Sequence, residues 1–175
     1  MKWVMAGNRG LLYVRVMRTP SAVLYDAGYQ FELGKGAFVH GSTADAAIVV
    51  SSGRGVHEAL SAARECAVSG MPVAVVDMPS IDEELLLEIC DSVKVVCIAE
   101  QNNGYILQNL LKVLHRRRPN GPSTSRVLAI NTLDRDGRPQ FIHSGTYEEL
   151  IDAFGLTSSR IAGVLTRAMV KGSSS

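Results

Sequence analysis

The chain has almost nothing with which to build a disulfide framework, since Cys66, Cys90 and Cys97 are its only cysteines among 175 residues. Their spacing forms neither a Cys-x-x-Cys metal site nor a redox pair. Cys97 lies inside an apolar run and the other two near the ends of helical segments, so buried thiols are expected, with a reducing, cytoplasmic setting as the default. Histidine is equally sparse: His40, His57, His115 and His143 fall in different segments without metal-ligand spacing, which argues against a metal site. An excess of one charge is also missing. Eighteen Lys and Arg against seventeen Asp and Glu leave a net charge of +1, so no global field draws the chain to nucleic acid or to an acidic membrane. The one basic run, His115-Arg116-Arg117-Arg118, closes an apolar helix, where cations complement the helix dipole; it is too short for a nucleic-acid footprint. No apolar run reaches the roughly 18 residues that cross a bilayer, and the N-terminus lacks a signal-peptide pattern. The expectation is a soluble intracellular protein with no nucleic-acid or membrane partner.

What is present is an ordinary globular composition, 46% apolar and 20% charged, at a length that suits one domain with a real core. The first stretch reads as a remnant of something else. Lys2 to Ala6 has the look of a last helical turn closed by Gly7-Asn8. Leu11 to Met17 has strand composition but no partner at hairpin distance. A lone strand cannot satisfy its own backbone groups, so it pairs with another domain or frays. After Thr19-Pro20, an irregular segment to Gly28 suits an interdomain linker. The domain proper is expected over 29–171, with residues 172–175 as a flexible tail.

Within 29–171, strands and helices alternate. Phe31 to His40 is glycine-rich and extended, as an edge strand. Ala46–Val50 and Pro72–Val76 are apolar runs suited to buried strands, Lys94–Ile98 is a further strand and Arg126–Ile130 the last strand candidate. Val56–Val68, a helix opened by Ser80 as N-cap with Glu83 completing a capping box, Tyr105–His115, Thr146–Phe154 and Ser158–Val170 have helical character. Such alternation predicts a three-layer αβα sandwich around a mostly parallel sheet of about five strands, with one antiparallel edge strand.

Candidate chemistry is thin. Gly53-Arg54-Gly55 follows a strand and opens a helix, but the third glycine of a dinucleotide fingerprint is replaced by Glu58, whose carboxylate would repel a pyrophosphate. His57 lies near Ser51, Ser52 and Glu58 in sequence, yet nothing has the form of a nucleophile elbow. Glu100-Gln101-Asn102-Asn103 sits just past the C-terminal end of an apolar strand, where open parallel sheets place ligands or interfaces. Asn102 or Asn103 also suits the cap of the next helix. The interface or ligand-edge reading and the capping reading both stand.

The order of these segments carries more than any one of them. Ser51-Ser52-Gly53, a helix with Ala59-Leu60 and Ala62-Ala63, and then Gly70-Met71-Pro72-Val73-Ala74-Val75-Val76 leading to Ser80-Ile81 resemble the signature of the transketolase C-terminal domain. The likeness continues in Val95-Val96-Cys97-Ile98-Ala99-Glu100 and in His143-Ser144-Gly145-Thr146-Tyr147-Glu148-Glu149-Leu150, followed by Phe154-Gly155-Leu156-Thr157. Gly10 to Arg18 resembles the last strand of the pyrimidine-binding domain that precedes it in that family. One departure is that Glu100 lacks the acidic pair and glycine run of pyruvate-dehydrogenase-type and deoxyxylulose-phosphate-synthase-type chains.

The resemblance implies a structural and dimerisation domain of an enzyme that transfers two-carbon ketol units between sugar phosphates, with thiamine diphosphate and Mg2+ (or Ca2+) held by its pyrophosphate- and pyrimidine-binding domains. Those domains and a second copy are the implied partners, and the chain by itself is expected to be inactive, with no catalytic, cofactor or metal residue of its own. Asp136-Gly137 lacks the glycine and asparagine that complete the family's metal motif. The resemblance places Arg18 nearest the family's substrate-phosphate arginine, whose planar guanidinium suits a phosphate; a solvated strand-end residue is the other reading. A stand-alone α/β binding or regulatory module, or the small subunit of a split thiamine-diphosphate enzyme, is the alternative.

Overall fold

The computed structural model describes residues 5–7, 10, 20–118 and 125–172. The strand expected over 11–17, Arg18 and the tail beyond 172 lie outside the described residues. From residue 37 the elements run β1 (Ala37–His40), β2 (Ala47–Ser51), α1 (Gly55–Val68), β3 (Val73–Asp77), α2 (Glu83–Ser92), β4 (Val95–Ala99), α3 (Tyr105–Arg117), β5 (Arg126–Ile130), α4 (Tyr147–Ala153) and α5 (Ser158–Gly172). The five strands lie in the order β1-β3-β2-β4-β5. All neighbouring pairs are parallel except β1 with β3. This is the expected three-layer sandwich with one antiparallel edge.

The three central strands are buried along their whole length, because helices cover both faces and every other side chain meets one layer or the other. Ala47, Val49, Val73, Val75, Val95 and Cys97 pack with α1 and α5, while Ile48, Val50, Ala74, Val76, Val96 and Ile98 pack with α2 and α3. The α1 face is built from Val56, Ala59, Ala62, Ala63 and Cys66; its alanines let the helix lie close to the sheet. All three cysteines are buried thiols, and burial pushes Cys97 up to about 12. No helix of the described residues is long and apolar enough to cross a membrane.

Three local expectations change on folding. Only Ala37–His40 of the extended segment joins the sheet. The N–H groups of Gly34 and Gly36 donate instead to Ser80 Oγ and Asp82 Oδ2, at 2.7 and 3.3 Å. Ser80 is thereby occupied, and α2 is capped by Asp82, which accepts from Leu85 N at 3.1 Å. The cations at the end of α3 do not simply face its dipole. Arg116, Arg117 and Arg118 pair with Glu83, Glu84 and Asp91 of the neighbouring α2. These pairs are exposed or partly exposed, and they register two helices already held by apolar contact more than they stabilise them.

Candidate functional site

In open parallel sheets the C-terminal strand ends carry function, above all where the chain reverses its direction of travel across the sheet. Here that point lies between β2 and β4. Ser51, fully buried, closes it by donating from Oγ to the Ala99 carbonyl at 2.6 Å. Gly55 opens α1 directly beside this bond; a Cβ there would sit 2.7 Å from Ser51 Oγ. The close approach requires glycine.

The loop from Glu100 to Asn103 lies on the far side of the crevice. Glu100 is fully buried. Its two oxygens accept from Ile106 N at 2.8 Å and Leu107 N at 3.1 Å, satisfying amides that the first turn of α3 leaves open. Gly104, at φ 75°, makes the turn that brings them into range. Asn102 Oδ1 accepts from Tyr105 N at 2.9 Å, so the expected asparagine cap is present. The larger share falls to Glu100, five residues ahead of the first residue of the helix, and spacing alone did not reveal this. Asn103 Oδ1 accepts from Thr132 Oγ1 at 2.8 Å, and Gln101 Nε2 donates to Tyr147 Oη at 2.8 Å.

Gln101 and Tyr147 border a cavity of about 180 Å3 whose wall includes Thr132, Ile142, Leu150 and Phe154. Burial pushes the Tyr147 hydroxyl above its ordinary value, against the effect of the Gln101 hydrogen bond. The Arg54 guanidinium lies over the Tyr147 ring, 3.5 Å from its centroid, and 3.8 Å from Glu148 Oε1. The first turn of α1 thus holds the start of α4.

A second carboxylate ends β3. Asp77 is 6% exposed. Its Oδ2 accepts from Tyr25 Oη at 2.7 Å, and its Oδ1 finds no partner among the described residues. Burial raises its pKa, while the Tyr25 bond and the charge of His57 act in the opposite direction. His57 Nε2 lies 3.1 Å from Ser21 Oγ. The serine that meets His57 is therefore Ser21 and neither Ser51 nor Ser52, a pairing across 36 residues that no local motif announces. The sequence reading missed Asp77, Tyr25 and Ser21. The visible signal was a charged residue closing the otherwise apolar run Val73–Val76.

Both Glu100 oxygens accept from the first turn of α3, and Asp134 Oδ1, in the Asp136-Gly137 turn, accepts from Asp136 N and Arg138 N. Among the described residues no group of three or more His, Cys, Asp or Glu side chains could hold a metal ion.

The fold and its strand ends define a three-layer α/β domain. No family model matches the chain. It is similar to transketolases and transketolase-like proteins over nearly all its length, consistent with a C-terminal domain of such a protein. It is 26% identical over 175 residues to transketolase-like protein 1 of Bos taurus, covering 95% of this chain and 27% of the relative. Against transketolase-like protein 2 of Mus musculus it is 25% identical over 174 residues, covering 97% and 26%. With Homo sapiens transketolase the identity is 25% over 171 residues, covering 93% and 26%. The chain thus spans about a quarter of the length of the curated relatives it matches. Among solved structures, an inactive β4 tetramer of a split-gene transketolase superposes with a TM-score of 0.72 at 23% identity, over 87% of this chain and 48% of that one. Campylobacter jejuni transketolase gives 0.54 at 16% identity, over 82% and 20%.

Proposed function

We propose that this chain is the C-terminal structural and dimerisation domain of a transketolase-like enzyme, a transferase whose whole form moves two-carbon ketol units between sugar phosphates. The observation that carries the reading is similarity to transketolases along nearly the entire chain. In this reading, thiamine diphosphate and Mg2+ (or Ca2+) are bound by pyrophosphate- and pyrimidine-binding domains, and the chain alone is inactive. Residues 1–28 are the end of the pyrimidine-binding domain with its linker, 29–171 the domain itself, and the protein works in the cytoplasm as a homodimer. Arg18 grips the substrate's phosphate. The loop of Glu100, Gln101, Asn102 and Asn103 faces a neighbouring domain or a ligand at the strand ends.

A second arrangement has its own support. One solved neighbour is a split-gene transketolase in the form of an inactive β4 tetramer. This chain suits the same place, meeting a catalytic chain in trans.

Titration calorimetry tests where the cofactor lies. The expected result is no heat of binding when thiamine diphosphate and Mg2+ are added to this chain. Micromolar binding overturns the placement of the site in other domains. The mass of the natural polypeptide in its source cells, read by blotting, then separates a domain of a longer enzyme from a split subunit at 18.8 kDa.

A further inference from the structure

Six residues at the β3–α2 corner hold three polar groups, and each receives a hydrogen bond from the segment that precedes β1. Asp77 accepts from Tyr25, Ser80 from Gly34 N and Asp82 from Gly36 N. His57, in the first turn of α1, adds a fourth contact through Ser21. The incoming segment is shaped for this. Asp26 folds a turn by accepting from Gly28 N at 2.8 Å, and the rings of Tyr25 and Tyr29 stack at 3.7 Å with 11° between their planes. That stack presents the Tyr25 hydroxyl to Asp77. A strand that only closed a core would end on an apolar residue, because a buried carboxylate with one oxygen unpartnered is costly. We propose that Asp77 and His57 are positioning residues: with Ser80 and Asp82 they form a seat that fixes the path by which the chain enters the domain.

Hydrogen exchange on the full chain tests the seat without reference to any activity. Tyr25→Phe keeps the ring stack and removes the hydroxyl. It is expected to speed exchange of the Gly28 and Tyr29 amides by about tenfold while those of β2 and β4 are unchanged. Asp77→Asn keeps an oxygen for Tyr25 and is expected to retain near-native protection, which a role for the charge alone would not allow. Unchanged exchange in Tyr25→Phe, or loosening in Asp77→Asn equal to it, overturns the seat.

Discussion

Glu100 and Asp77 are two carboxylates at the same edge of the same sheet, each closing an apolar strand and each almost without solvent. Glu100 is matched on both oxygens by the amides of the helix that follows it, six and seven residues on. Asp77 is matched on one oxygen by a tyrosine 52 residues back in the chain, and its other oxygen has no partner among the described residues. The first is a local device, with strand end, turn and helix start satisfying one another. The second serves a distant segment, and part of its acceptor capacity is left over. A buried acid is thus informative about function through where its partner comes from. Burial alone does not distinguish the two corners.

The largest test of the contrast is Glu100→Ala. It strips two first-turn amides of their acceptor inside the protein, and a loss of about 3 kcal/mol is expected in urea unfolding. A loss under about 1 kcal/mol would mean water replaces the carboxylate and the corner is not as closed as described. Tyr25→Phe should cost less, about 1–2 kcal/mol, because it breaks one bond and leaves Asp77 with none to Tyr25. If both variants lose equally, the local and the distant carboxylate are energetically the same and the contrast fails.

Next in size is the exposed counterpart at α4. Thr146 and Glu149 form a complete capping box, and Thr146→Ala should lower stability by about 1 kcal/mol in the same measurement. The smallest effect at neutral pH is expected from Asp77→Asn, within about 0.5 kcal/mol, since lost charge-assisted bonding is offset by relief of burying a charge. Its signature is pH dependence.

The pKa of Asp77 is raised in the folded protein by burial. Its contribution is therefore fully present below the ordinary carboxyl value of about 3.9 and declines as pH rises through the folded value. Glu149 runs the other way. The Thr146 backbone and side-chain bonds lower its pKa, so its contribution is present above the ordinary value and disappears as pH falls through the folded one. Asp77→Asn should remove the first slope and leave the second, while Glu149→Gln should do the reverse, both read from unfolding midpoints between pH 3 and 7. Identical profiles for the two variants would break the assignment.

Most of the architecture was legible because it is written in short-range pattern. Val73–Val76 and Val95–Ile98 are apolar on every residue, and only a strand covered on both faces accommodates that. The segment from Phe31 to Gly36 was less legible. Its extended composition fits an edge strand, but side chains at the β3–α2 corner claim its amides before the sheet can. Ser80 misled for the same reason, since a serine three residues ahead of a glutamate has the form of a cap whether or not its hydroxyl is already taken.

The sequence by itself determined the alternation of strands and helices, the two-sided burial of the central strands and the likeness to transketolase C-terminal domains. Each depends on residue type at fixed local spacing, where backbone geometry leaves few choices. Only the tertiary structure decided which serine meets His57, that Asp77 waits for Tyr25, and that Glu100 serves α3. Hydrogen bonds between polar groups depend on direction and on distances of about 3 Å, and for the contacts of His57 and Asp77 the chain brings such groups within reach from dozens of residues apart only after its apolar faces have packed.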